Sequence, residues 1–137
     1  MSLVLDSSAT LAWVYSEEIT RRIRDLFEMV ISSGAFVPVI WHLEVGNSLQ
    51  TAVRQGRIKT NFRDATLTDL ASINIQIDSE TNNHAWSTTL KLAHKYNLTL
   101  YDAAYLELAQ RKSLPLASLD RDLRTAAKAM HIALLGI

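Results

Sequence analysis

The chain contains no cysteine. That excludes disulfides, thiolate zinc sites, iron–sulfur clusters and a thiol nucleophile. Its four histidines (His42, His84, His94 and His131) are scattered, with no paired spacing suited to zinc. No apolar run approaches the roughly 18 residues that a membrane span needs. The opening residues carry no basic region and too short an apolar stretch for a signal peptide. A soluble, cytoplasmic protein with no membrane partner is therefore expected. Net charge is absent too: 14 Lys and Arg balance 14 Asp and Glu. A strongly basic nucleic-acid protein is excluded, but a local basic patch is not. There is no internal repeat, low-complexity stretch or linker.

What is present is ordinary globular material. The 137 residues are 48% hydrophobic and 20% charged. That length predicts a single domain over residues 1–137. Such a domain buries roughly 68% of the surface its unfolded chain exposes, so it needs no staple. Charge is segregated along the chain. Residues 1–53 are net −3, 54–63 net +4, 64–110 net −4 and 111–137 net +3. This leaves room for a polyanion-binding surface.

Short apolar runs alternate with helical patterns. Leu3–Leu5, Phe36–Val39, Asn74–Asp78, Leu114–Leu119 and Ile132–Leu135 read as strands. Between them, Ala9–Tyr15, Glu17–Ser33, Trp41–Gln55, Asn61–Ser72, Thr81–Tyr96, Tyr101–Lys112 and Arg121–Met130 read as helices. Gly34 fits a helix C-cap. Gly46 sits inside a predicted helix, where it costs about 1 kcal/mol relative to Ala; close backbone packing is the expected reason. The alternation predicts an α/β fold, a three-layer α/β/α sandwich with a central parallel sheet.

In open parallel sheets, ligand sites lie at the carboxyl ends of the strands. Asp6 ends the first strand, Asp120 follows the Leu116–Leu119 run, and Asp102 opens a helix. Each also has a purely structural reading. Asp6 and Asp120 can cap helices, and Asp102 can complement a helix dipole with Thr99 as the cap. Glu44 is different. Helical spacing puts it on the stripe of Ile40, Trp41, Val45 and Ser48, which should face the sheet. A carboxylate there is costly unless paired or metal-bound, or unless it sits at the edge of the stripe. Asn47 lies close enough to hydrogen-bond it. If Asp6, Glu44, Asp102 and Asp120 converge, the pocket carries four negative charges. Two like charges 4 Å apart repel by about 4 kcal/mol at an effective dielectric of 20. Such a pocket protonates or binds cations, and all-oxygen donors select Mg²⁺ or Mn²⁺. Carboxylate clusters holding these ions support attack of water on a phosphodiester. Ser7 and Ser118 are placed to orient the carboxylates.

Four segments then carry a resemblance. Leu3-Val-Leu-Asp6-Ser-Ser-Ala, Glu44-Val-Gly-Asn47, Tyr101-Asp102-Ala-Ala-Tyr and Ala117-Ser118-Leu-Asp120-Arg-Asp, in that order, resemble the PIN-domain ribonucleases. Within that family the chain is similar to the single-domain toxins of VapC type. The resemblance implies a Mg²⁺- or Mn²⁺-dependent endoribonuclease acting on RNA. Asp6, Glu44, Asp102 and Asp120 would form the acidic quartet, with Asp6, Asp102 and Asp120 on the metal. Ser7, Asn47 and Ser118 match the supporting polar positions, and Asp122 lies two residues beyond Asp120. It also implies a homodimer and a cognate antitoxin that covers the site, often with a basic side chain.

Basic residues are weaker signals. Arg121 adjoins Asp120, and Arg124, Arg54 and Arg57 lie in the two basic stretches. They read as RNA-phosphate contacts or as solvated helix faces. Trp13, Trp41 and Trp86 sit among apolar residues and read as core or dimer packing rather than base stacking. Two other functions remain open. One is the same nuclease in RNA maturation without an antitoxin. The other is a non-catalytic, receiver-like module. A receiver would want a second acidic residue beside Asp6 and a Lys after a late strand; neither is present.

Overall fold

Residues 2–137 are described by a computed structural model. Five short parallel strands make the central layer: β1 (Val4–Leu5), β2 (Ala35–Val37), β3 (Ile75–Ile77), β4 (Leu116–Ala117) and β5 (Leu134–Leu135). Their order across the sheet is β3-β2-β1-β4-β5. Val4 pairs with Phe36 on one side and Leu116 on the other. Leu3, Val4 and Leu5 are fully buried, as a central parallel strand covered on both faces must be. The chain runs outward from β1 through β2 to β3, then returns to the far side of β1 as β4. The sheet therefore reverses its order between β1 and β4, and ligand crevices form at such points.

Eight helices flank the sheet, giving a three-layer α/β/α fold: α1 (Ser7–Val14), α2 (Arg21–Ser33), α3 (Trp41–Arg54), α4 (Thr60–Ser72), α5 (Thr81–His84), α6 (Thr88–Tyr96), α7 (Leu100–Lys112) and α8 (Arg121–Ala129). Among the described residues no helix is long and apolar enough to cross a membrane. The core gathers β1, β2 and β4 with Ile23, Phe27 and Val30 of α2, Trp41, Val45 and Leu49 of α3, and the buried run of α7. Gly34 closes α2 at φ +78°. A Cβ there would lie 2.7 Å from the Asn74 side-chain nitrogen, so the position takes only glycine.

Two expected helices are divided in the structure, and one expected packing contact is missing. The helix expected over Glu17–Ser33 is a single turn at Ser16–Glu18 followed by α2, because the Thr20 hydroxyl accepts the Ile23 N–H at 3.2 Å and starts a new helix. The helix expected over Thr81–Tyr96 is broken before Thr88, where the Ser87 backbone leaves helical geometry. The break turns Trp86 outward at 89% exposure, so it is not a core residue, whereas Trp41 is buried and Trp13 stacks on Phe27. Lastly, a Cβ on Gly46 would meet nothing within 4 Å, so close packing does not explain that glycine.

Candidate active site

Asp6 leaves β1 and caps α1. Its Oδ1 accepts the Ala9 N–H at 2.9 Å and the Ser8 hydroxyl at 2.7 Å. The side chain sits at the reversal point of the sheet and is only 3% exposed. Burial pushes its carboxyl up to about 6, against the hydrogen bonds from Ala9, Ser118 and Ser8, and the charge of Asp120 adds to the rise. Asp120 follows β4 and caps α8 by accepting the Leu123 N–H at 2.9 Å. Its own N–H donates to Ser118 Oγ at 3.0 Å. The capping roles are thus real, and they aim both carboxylates at the same edge rather than competing with a shared site.

Asp102 lies in the first turn of α7, which Thr99 caps by accepting its N–H at 3.1 Å. Burial raises the Asp102 carboxyl, Asp120 and Asp122 raise it further, and Thr99 opposes them. Glu44 stands at the edge of the α3 stripe, half-buried beside buried Trp41 and Val45. Its Oε1 accepts the Tyr105 hydroxyl at 2.6 Å. Burial raises this carboxyl, the Tyr105 bond lowers it and the charge of Asp102 raises it. Asp6, Glu44, Asp102 and Asp120 therefore come from four segments linked pairwise by charge, Asp120 acting on Asp6 and on Asp102, and Asp102 on Glu44. None of them joins the ion pairs found among the described residues.

The supporting residues are distributed differently from expectation. Ser7 makes no side-chain hydrogen bond; its neighbour Ser8 makes the contact to Asp6. Helix α1 turns the second hydroxyl, not the first, back toward the carboxylate. Ser118 is fully buried and serves both Asp6 and Asp120. Asn47 is exposed and makes no hydrogen bond to Glu44, which turns to Tyr105 instead. Asp122 is exposed on α8, near enough to act on Asp102. Thr10 ties the end of β1 to α3, donating to the Asp6 carbonyl at 2.8 Å and accepting from Trp41 Nε1 at 3.2 Å. Tyr105, Ser8 and Thr10 carry no expected role in the sequence. The one available signal is that Tyr105 follows Asp102 at helical spacing.

The basic candidates divide. Arg121 and Arg54 are exposed and join no ion pair among the described residues. Arg57 is engaged with Glu17 at 3.2 Å and Glu18 at 3.3 Å, and lies over the Tyr15 ring. Arg124 is spent on backbone carbonyls, donating to Ser118 at 2.7 Å and Leu135 at 2.9 Å. Arg111 is not a surface cation. It is forked between Asp78 and Glu107, both buried.

The donor set suits a hard divalent cation: oxygen only, several carboxylates, and a buried Asp6 with no cationic partner. Among the described residues no three acidic or histidine side chains are already drawn tight enough to enclose an ion.

Comparison with known proteins shows the family and the fold. The PIN-domain family model matches residues 3–129. The chain belongs to the PIN-domain family, and PIN is a nuclease fold. The crystal structure of PAE2754 from Pyrobaculum aerophilum is similar with a TM-score of 0.70 at 23% identity, covering 98% of this chain and 83% of that one. FitAcB from Neisseria gonorrhoeae is similar with a TM-score of 0.68 at 14% identity, covering 99% and 97%. At such identities the likeness is one of fold. No curated protein matches the sequence.

Proposed function

We propose that the chain is a single PIN-like domain acting as a Mg²⁺- or Mn²⁺-dependent endoribonuclease, and that it is the toxin of a toxin–antitoxin pair. One observation carries the catalytic half. Asp120 raises the carboxyls of Asp6 and Asp102, Asp102 raises that of Glu44, and none of the four joins an ion pair among the described residues. Asp6, Asp102 and Asp120 would hold the ion, which supplies Lewis-acid polarisation of a phosphodiester and an acidified water when bound. Glu44 takes the proton of the attacking water as its oxygen bonds to phosphorus and the P–O bond to the leaving oxygen breaks. Ser8 and Ser118 hold Asp6 in place while Asp122 adds negative charge nearby. Arg121, exposed beside Asp120, is placed to receive an RNA phosphate.

The toxin half is supported by the motif order shared with VapC-type toxins. On this reading the chain is a homodimer, and an antitoxin covers the acidic site with a basic side chain. The test is cleavage of a mixed RNA pool by the purified chain, in Mg²⁺ or Mn²⁺ against EDTA, beside Asp102→Asn. Metal-dependent cleavage that the variant loses is expected. Equal cleavage by the folded variant overturns the mechanism. Growth arrest on expression, absent with Asp102→Asn, is expected of the toxin; its absence with an active nuclease returns the chain to RNA maturation.

A further inference from the structure

Glu44 reaches the site from α3, and its one hydrogen bond is to Tyr105 of α7, 61 positions away. The remaining oxygen, Oε2, takes no hydrogen bond from the described residues. A glutamate side chain has three torsions, and fixing them costs conformational entropy. A half-buried carboxylate without an anchor would turn toward bulk water. We propose that Tyr105 is a positioning residue: its hydroxyl fixes the Glu44 carboxylate by one oxygen and leaves the other free for the reacting water. The inference rests on the nuclease reading and names a residue that reading does not use.

Three observations support it. The Tyr105 ring is 1% exposed, so packing locks its orientation before it meets Glu44. Among the described residues its hydroxyl has no other partner than Glu44, and a buried phenol without one is costly. Leucine or phenylalanine would fill the core position without that burden, so packing alone does not call for the oxygen. Finally, the anchor is neutral. An Arg or Lys in its place would pair with Glu44, quench its basicity and place a positive charge against a cation site. Tyr105 orients the carboxylate and leaves its charge available, within reach of the charges of Asp6 and Asp102.

Tyr105→Phe keeps the ring and removes the hydroxyl. The expected kcat falls by about 10- to 100-fold, the range for losing a group that orients a functional one. KM and Mn²⁺ affinity, the latter measured with Mn²⁺ alone by water-proton relaxation, stay within about twofold. In a Glu44→Gln background the same change costs nothing more, because the two act as one unit. Cleavage by Tyr105→Phe within twofold of the parent overturns the inference, as do independent, multiplying losses in the double variant. A parallel loss of Mn²⁺ binding also overturns it, by placing Tyr105 in the metal site. A parent chain that cleaves nothing brings down the nuclease reading itself, and the inference with it. If Tyr105→Phe melts well below the parent, Glu44→Asp serves as the second probe. It shortens the reach to Tyr105 without touching the core, and the expected kcat loss matches that of Glu44→Gln. Full activity of Glu44→Asp overturns the inference.

Discussion

The Ser8 hydroxyl accepts the Leu119 N–H at 2.9 Å, across 111 positions of chain. The same oxygen donates to Asp6 Oδ1 at 2.7 Å. One side chain thus ties the end of β1 to the loop after β4, the two segments that carry Asp6 and Asp120. Replacing Ser8 by Ala leaves a part-buried N–H without a partner, which costs about 1–2 kcal/mol. Ser7→Ala removes no hydrogen bond and stays within about 0.5 kcal/mol of the parent. Urea unfolding of the two variants checks this; equal losses would contradict it.

Asp6 makes stability depend on pH. Its folded carboxyl is pushed up to about 6 from 3.8. The folded state therefore holds a proton that the unfolded state releases. The associated stability is fully present below about pH 4 and is lost as pH rises through 6. That change corresponds to about 3 kcal/mol. In EDTA, the unfolding free energy is expected to fall between pH 4 and 7. Asp6→Asn flattens that fall, is more stable than the parent at pH 8, and does not cleave RNA. An Asn variant less stable at pH 8 would show that the ionised carboxylate is not under strain.

Arg111 and Arg121 are expected to separate cleanly. Arg111 donates to both oxygens of Asp78 and both of Glu107. Burial would raise Asp78, but the Arg111 fork, the Glu80 N–H and Thr81 together hold it below the usual carboxylate range. Arg111→Ala strands two buried carboxylates and is expected to cost about 3–5 kcal/mol. Arg121→Ala leaves stability within about 0.5 kcal/mol. It raises KM for RNA and lowers the salt dependence of binding by about one phosphate contact. Thermal melts and salt-series binding distinguish them, and a reversed pattern would refute both assignments.

Gly46 is a stability reserve. It has helical neighbours on both sides and open space where a Cβ would stand. Gly46→Ala is expected to stabilise the protein by about 0.5–1 kcal/mol through reduced backbone entropy of the unfolded chain. A loss of stability in denaturant unfolding would mean that something occupies that space.

The acidic positions are legible in the sequence for a local reason. Asp6, Asp102 and Asp120 stand where an apolar run or a helix begins or ends, and in a parallel sheet those ends share one edge. Glu44 is legible because it breaks an apolar stripe. The broken helix at Trp86 is not, since Leu90 and Ala93 keep a helical spacing on paper and the break depends on the Ser87 backbone. Nor is the choice of Ser8 over Ser7. Adjacent hydroxyls are chemically equal, and only the seating of α1 against β4 decides which one reaches Asp6.

Sequence alone, then, determined the alternation of strands and helices and the ends at which the carboxylates fall, because periodicity, capping and strand ends are properties of neighbours along the chain. The tertiary structure decided the strand order, the engagement of Arg57, Arg111 and Arg124, and the bond from Tyr105 to Glu44. Those depend on contacts between segments as far as 112 positions apart, whose geometry is set by packing and not by spacing along the chain.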